Sequence, residues 1–227
     1  MLARAPQQTI INFHGIGEPA RTLEPGEAPF WLGAEQFGQV LDQIAAHPDR
    51  ARFAITFDDS NISDLAIAVP ELAKRGMTAC FFVLTGRIGS PGSLDRSHIR
   101  EMAAAGMGIG SHGIDHRDLS RLGGRDLRAE LAASRAILED VVQAKVETFS
   151  IPFGRYNAGV LAAIRRAGYG AAYTSDGGTA RDSDFLRPRR SLRCDMDDAE
   201  FSAILSGQSS AAKRLRRLIG MSLKRLA

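Results

Sequence analysis

Short apolar runs alternate with amphipathic stretches along most of this chain. Runs at 9–14, 52–57, 78–84, 107–111, 148–151, 169–174 and 185–192 have the length and the turn-residue flanks of strands; 78–84 is apolar throughout, as in strands covered on both faces. Between them the period changes to that of a helix. Phe37, Val40, Leu41 and Ile44 mark one over 34–47, and Leu127, Leu131, Leu138 and Val141 mark a long one over 125–142. Shorter helices are predicted at 95–105 and 158–167, stopped by Gly106 and Gly168. Over 63–76, Ser63 and Asp64 read as an N-cap, and Pro70 predicts a kink or a late start.

Strand and helix in alternation predict a parallel sheet covered by helices, either open or closed into a barrel. One α/β domain over 1–207 is expected, followed by a separate tail over 208–227. His14, Asp58, Asp59, His112 and Asp176 all fall at carboxyl ends of predicted strands. In both architectures that edge is where sites form. The Pro- and Gly-rich segment 18–33, with Trp31, is long enough to shape a pocket rim.

Composition sharpens this in three places. With 44% hydrophobic residues in 227, the chain can bury one substantial core, and no run reaches the eighteen or so apolar residues of a membrane span. The first residues lack the apolar segment of a secretory signal, so a cytoplasmic protein, free or held on the inner membrane face, is expected. Cys80 and Cys194 lack metal or disulfide spacing and read as reduced thiols.

The formal charge of +3 is unevenly placed: 208–227 holds six basic residues and no acid, which leaves the rest mildly acidic. Over 211–226, Leu215, Leu218, Ile219, Ser222 and Leu226 share one helical face among those cations. Such a helix lies on an anionic membrane or packs back on the body; the absence of acids favours the membrane. Nucleic acid is not expected as a partner, because the body is acidic and no aromatics are interleaved with the cations.

The chemistry centres on Asp58-Asp59. Alone, the pair reads as a helix cap facing water rather than as a site. His112 and His116, in H-x-x-x-H spacing just after another strand, change the balance: two imidazoles and one carboxylate make a three-ligand N and O set with a position left for water. That set suits the activation of water and the polarisation of a carbonyl.

Three ordered motifs now carry a resemblance. Thr56-Phe57-Asp58-Asp59-Ser60, Ser111-His112 with His116, and Pro152-Phe153-Gly154 resemble the motifs of the polysaccharide deacetylases with NodB homology, carbohydrate esterase family 4, over roughly 9–192. The resemblance implies a distorted parallel (β/α) barrel of about seven strands. It also implies a divalent metal, zinc above others, on Asp59, His112 and His116, with Asp58 as general base. A backbone N–H near Phe153 in Pro152-Phe153-Gly154 would hold the oxyanion.

Three departures from the pattern stand out. Ser60 replaces a usual Gly, which matters if the position needs a positive φ. Ser150 stands where the family usually has the Arg that orients the base; Arg189 is the proposed substitute, with Arg187 and Arg190 as alternatives. No histidine follows His116, so the family's late acid histidine is missing, and His14 is the substitute proposed here. Asp115 and Asp176 are further pocket candidates.

The expected function is metal-dependent removal of an acetyl group from an N-acetylated sugar, lipid-linked or nucleotide-linked, in the making of an exopolysaccharide or surface glycan. The alternatives are hydrolysis of another amide, such as a formamide or cyclic ureide, at the same site, and a catalytically silent carbohydrate-binding homologue.

Overall fold

In the computed structural model, which describes residues 7–206, 215 and 219–224, seven parallel strands close into a barrel in chain order. They are β1 (Thr9–Phe13), β2 (Phe53–Phe57), β3 (Cys80–Val83), β4 (Gly108–Ser111), β5 (Thr148–Ser150), β6 (Ala171–Thr174) and β7 (Leu186–Ser191). Helices α1 (Ala34–Ala46), α2 (Val69–Lys74), α3 (Arg96–Ala104), α4 (Gly124–Val142) and α5 (Ala158–Arg166) follow the first five strands in turn. No helix separates β6 from β7, and α6 (Asp198–Leu205) follows β7. Its start is written as Asp197-x-x-Glu200, a reciprocal capping box that the apolar periodicity does not reveal. Closure is made by β1 against β7, with Ile10 opposite Arg189 and Asn12 opposite Ser191.

Side chains alternate across each strand. Ile11 and Phe13, Ile55 and Phe57, Phe81 and Val83, and Phe149 belong to the large core under the helices. The other set points into the barrel, where Ile10, Phe82, Ala171 and Tyr173, with Ala54 and Cys80 against them, form a smaller apolar floor. Above that floor the inward residues turn polar: Asn12, Thr56, Ser150 and Arg189 are all fully buried. A barrel this small is filled by side chains, so these groups must satisfy one another.

The strand ends that carry the polar layer are held from outside by aromatic rings. Phe57 stacks on Phe81 at 4.6 Å and on Phe13 at 5.2 Å, and Phe13 meets Phe37 of α1 edge-on at 5.0 Å. Each such pair contributes about 0.5–1.5 kcal/mol beyond burial.

The predicted cap at Ser63 and Asp64 is not formed. Neither side chain caps the helix: the Ser63 hydroxyl accepts the N–H of Ile16 at 3.2 Å, and Asp64 is buried at the start of a π-helical turn, Asp64–Ala68, that runs into α2. Pro70 sits in the first turn of α2, straight after that π-helical turn. Burial, and then the negative charges of Asp59 and Asp58, push the Asp64 carboxyl well above its ordinary value.

Of the tail, Leu218 and Leu226 of the proposed apolar face and five of its six cations lie outside the described residues. Leu215, Ile219 and Leu223 are exposed, and the Lys224 ammonium reaches Asp176 at 2.6 Å and the Gly154 carbonyl at 3.0 Å.

Candidate active site

A cavity of about 710 Å³ opens at the carboxyl ends of the strands. His14, Asp58, Asp59, His112, His116, Phe153, Gly154, Asp176 and Arg189 all line it. Pro152 is buried directly behind, and Asp115 is exposed, outside the lining. Five strands therefore deliver polar groups to one space.

Asp58 ends β2 and is 3% exposed. Arg189 rises from β7, its guanidinium 5.3 Å above the Phe82 ring, and grips the carboxylate with both nitrogens, at 2.8 Å on Oδ1 and 2.7 Å on Oδ2. The same guanidinium donates to Ser150 Oγ at 2.7 Å and to Asn12 Oδ1 at 2.7 Å. Asn12 and Ser150 each also donate to Asp58 Oδ2, at 3.2 and 3.3 Å. Arg187 instead binds Tyr173 and backbone carbonyls, away from Asp58. Burial alone would raise the Asp58 carboxyl, but the charge of Arg189 above all, together with the guanidinium hydrogen bond, outweighs it and holds the group well below the usual carboxylate range. Oδ2 takes three of these bonds and Oδ1 one, so among the described residues Oδ1 keeps an open lone pair.

Asp59 and Ser60 turn the chain sharply, both at positive φ (78° and 61°). A non-glycine residue there is strained by about 1–2 kcal/mol. Ser60 offsets part of this by accepting the Leu84 N–H on its buried hydroxyl at 2.7 Å, a bond that glycine could not make. The turn brings Asp59 Oδ1 within 3.6 Å of His112 Nε2 and 3.8 Å of His116 Nε2.

His112 is set by two neighbours. Its Nδ1 donates to the Ser150 carbonyl at 2.8 Å, which leaves the Nε2 lone pair facing Asp59. Burial above all pushes its pKa down to about 4, so the ring is neutral. The loop after it is pinned by Glu130 of α4, whose carboxylate accepts the Ile114 N–H at 2.7 Å. His116, at φ 51°, follows with its ring 4.3 Å from that of Phe153.

These three side chains fit a divalent cation. One donor atom from each of Asp59, His112 and His116 lies within 4.8 Å of the other two, and Asp59 Oδ1 is buried without a hydrogen-bond partner. A buried acceptor left open is costly unless something binds it. Two imidazoles and a carboxylate are a donor set that divalent metals such as zinc accept.

The profile of the family described as polysaccharide deacetylase matches residues 45–172 of this chain. The chain belongs to the polysaccharide deacetylase family. Among curated relatives, YxkH of Bacillus subtilis, a protein named for the same family, is 32% identical over 160 residues, 70% of this chain and 54% of its own length. The chitooligosaccharide deacetylase of Sinorhizobium fredii is 34% identical over 126 residues, 53% of this chain and 55% of its own. The chain thus spans about half the length of these relatives. Among solved structures, the Streptococcus pyogenes deacetylase PplD superposes with a TM-score of 0.75 over 91% of this chain and all of its own, at 23% identity. IcaB from Ammonifex degensii gives 0.71 over 89% and 97%, at 21%. At these identities the likeness is one of fold.

The remaining site residues are less central. His14, just past β1, packs its ring 4.9 Å from Phe30, with Nδ1 buried and unpartnered. Phe153, at φ 57°, puts its ring in the open, and Gly154 lies so near Ser175 that a Cβ would clash at 2.1 Å. Asp176 is held by Tyr156 and Thr174 hydroxyls, at 2.9 and 2.8 Å, besides Lys224. Sequence reading missed Asn12, Glu130 and Glu24. Only Asn12 left a signal, a lone amide at an inward position of the strand TIINF.

Proposed function

We propose that this chain hydrolyses the N-acetyl amide of a sugar, releasing acetate and a free amine, with a divalent metal held by Asp59, His112 and His116. The observation that carries the reading is the Arg189–Asp58 fork set directly against that three-residue cluster: one carboxylate is kept ionised and oriented while its neighbour is left free to bind. The names of the curated relatives, two of them chitooligosaccharide deacetylases, support sugar as the substrate class.

Bound there, zinc or a similar ion supplies Lewis acidity, activating water and polarising the acetyl carbonyl. Asp58 accepts the proton of the attacking water through its open Oδ1, and Arg189 fixes the carboxylate for that transfer. The Phe153 N–H donates to the oxyanion, with the positive φ of Phe153 setting its direction. The C–N bond then breaks. His14 gives the leaving nitrogen its proton, and Asp176 offers a carboxylate to sugar hydroxyls.

A lipid-linked substrate is the form favoured here, in the making of an exopolysaccharide or other surface glycan on the cytoplasmic side of a membrane. Of the described large apolar side chains, the exposed ones are Phe153 at the pocket mouth and Leu215, Ile219 and Leu223 in the tail, and Lys224 ties the tail to that mouth. An apolar surface beside the entrance suits a substrate carried in a bilayer.

The test is metal analysis of the purified protein followed by acetate release from N-acetylated saccharides, free and lipid-linked. Asp58→Asn should keep the metal and lose turnover, and Asp59→Ala should lose both. Metal-free parent protein, or full turnover in Asp58→Asn, defeats the assignment.

A further inference from the structure

The two histidines of the cluster are backed differently. Behind His112, the Ser150 carbonyl takes the Nδ1 proton. Behind His116, Nδ1 is buried and has no partner at hydrogen-bond distance, and the nearest acceptor charge is Glu24 Oε2, 3.7 Å away. If Nε2 of His116 faces a metal, its proton must sit on Nδ1, and a ligand imidazole whose outer N–H meets a carboxylate is both better oriented and more basic.

Glu24 is not a stray surface acid. It belongs to the loop 18–33, which is fastened to the metal turn itself. Arg21 donates to Asn61 Oδ1 at 2.8 and 3.1 Å and to Glu27 Oε2 at 2.9 Å, and Glu27 in turn accepts the Glu24 N–H at 2.8 Å. Arg87, after β3, binds the other Glu24 oxygen and so turns Oε2 toward His116. Glu24 also lines the cavity and lies outside the matched family segment, 45–172.

We propose that Glu24 is a positioning residue for the metal centre: its carboxylate accepts the Nδ1 proton of His116 and makes loop 18–33 part of what holds the ion. The inference rests on the metal reading above. It places the rim and the ion in one unit, so that distorting the loop weakens metal binding and losing the metal loosens the loop.

The test is zinc affinity by competition with a chromogenic chelator, using the full chain, together with the rise in melting temperature that zinc produces. Glu24→Ala should bind zinc about 10- to 100-fold more weakly than the parent, with the metal-free melting temperature unchanged. Glu24→Gln, whose amide oxygen still accepts an N–H, should recover most of the affinity. Zinc binding within twofold of the parent in Glu24→Ala overturns the proposal. So does an equal loss in Glu24→Gln and Glu24→Ala, which would assign the effect to the loop rather than to the acceptor. A parent that binds no zinc overturns the metal reading itself, and this inference with it.

Discussion

Replacing Arg189 by Met keeps most of the side-chain volume above Phe82 and removes only the guanidinium. What remains around Asp58, 3% exposed, is one amide and one hydroxyl, from Asn12 and Ser150, at 3.2 and 3.3 Å. Asn12 Oδ1 and Ser150 Oγ would each lose a 2.7 Å donor as well. Breaking one partner out of a buried pair costs about 3–5 kcal/mol. In a chain of this size that is a fall in Tm of roughly 10 °C. The second consequence is chemical. With Arg189 gone, burial becomes the dominant influence on Asp58 and its pKa rises, so the acid limb of kcat/KM for acetate release moves to higher pH. Thermal unfolding of Arg189→Met, Asp58→Asn and the double variant, with pH–rate profiles of the parent and Arg189→Met, reads both effects. The double variant should lose less than the two single losses added together, because neither charge is left alone. An Arg189→Met protein with the parent's Tm and an unmoved acid limb would refute the reasoning.

Metal-free protein should lose stability on mild acidification. Between pH 6.5 and about 4 the unfolded chain protonates His112 and the folded chain does not, so the stability present above pH 6.5 falls by about 3 kcal/mol as pH drops to 4; urea unfolding at several pH values measures this, and His112→Gln should flatten the curve. His14→Gln should lower kcat for acetate release by about 100-fold or more, and an unchanged kcat would take the acid role from His14. The full-length chain should sediment with anionic vesicles at low salt while a chain ending at Gln208 stays in solution; full-length protein left in the supernatant would count against the membrane reading of the tail.

The barrel was legible because its strands differ in kind from its helices: β-branched and aromatic runs bounded by glycine, against apolar residues at helical spacing. The cluster of Asp59, His112 and His116 was legible because Asp59 and His112 stand at strand ends, which share one face in such folds, and His116 follows His112 in H-x-x-x-H spacing. Sequence could not by itself choose among Arg187, Arg189 and Arg190, since Arg187 and Arg189 share one face of β7 and the choice depends on which guanidinium reaches Asp58. In the structure Arg189 does, opposite Ile10 of β1. Glu130 and Glu24 were silent because their partners, Ile114 and His116, are brought to them by tertiary packing. Asp64 misled, because a Ser-Asp pair before an apolar stretch has the composition of a cap, whereas here the chain turns it inward.

The guanidinium that holds Asp58 arrives 131 positions later in the chain, on the strand that closes the ring. During synthesis the first six strands can be in place while Asp58 still lacks its counter-charge, and contacts so distant in sequence form late. An unfinished or C-terminally clipped chain that ends before β7 thus carries Asp58, Asp59, His112 and His116 and still has no guanidinium to orient Asp58. On the function proposed above, the site is complete only once the final seam of the barrel has closed, and turnover would report that the last strand has docked.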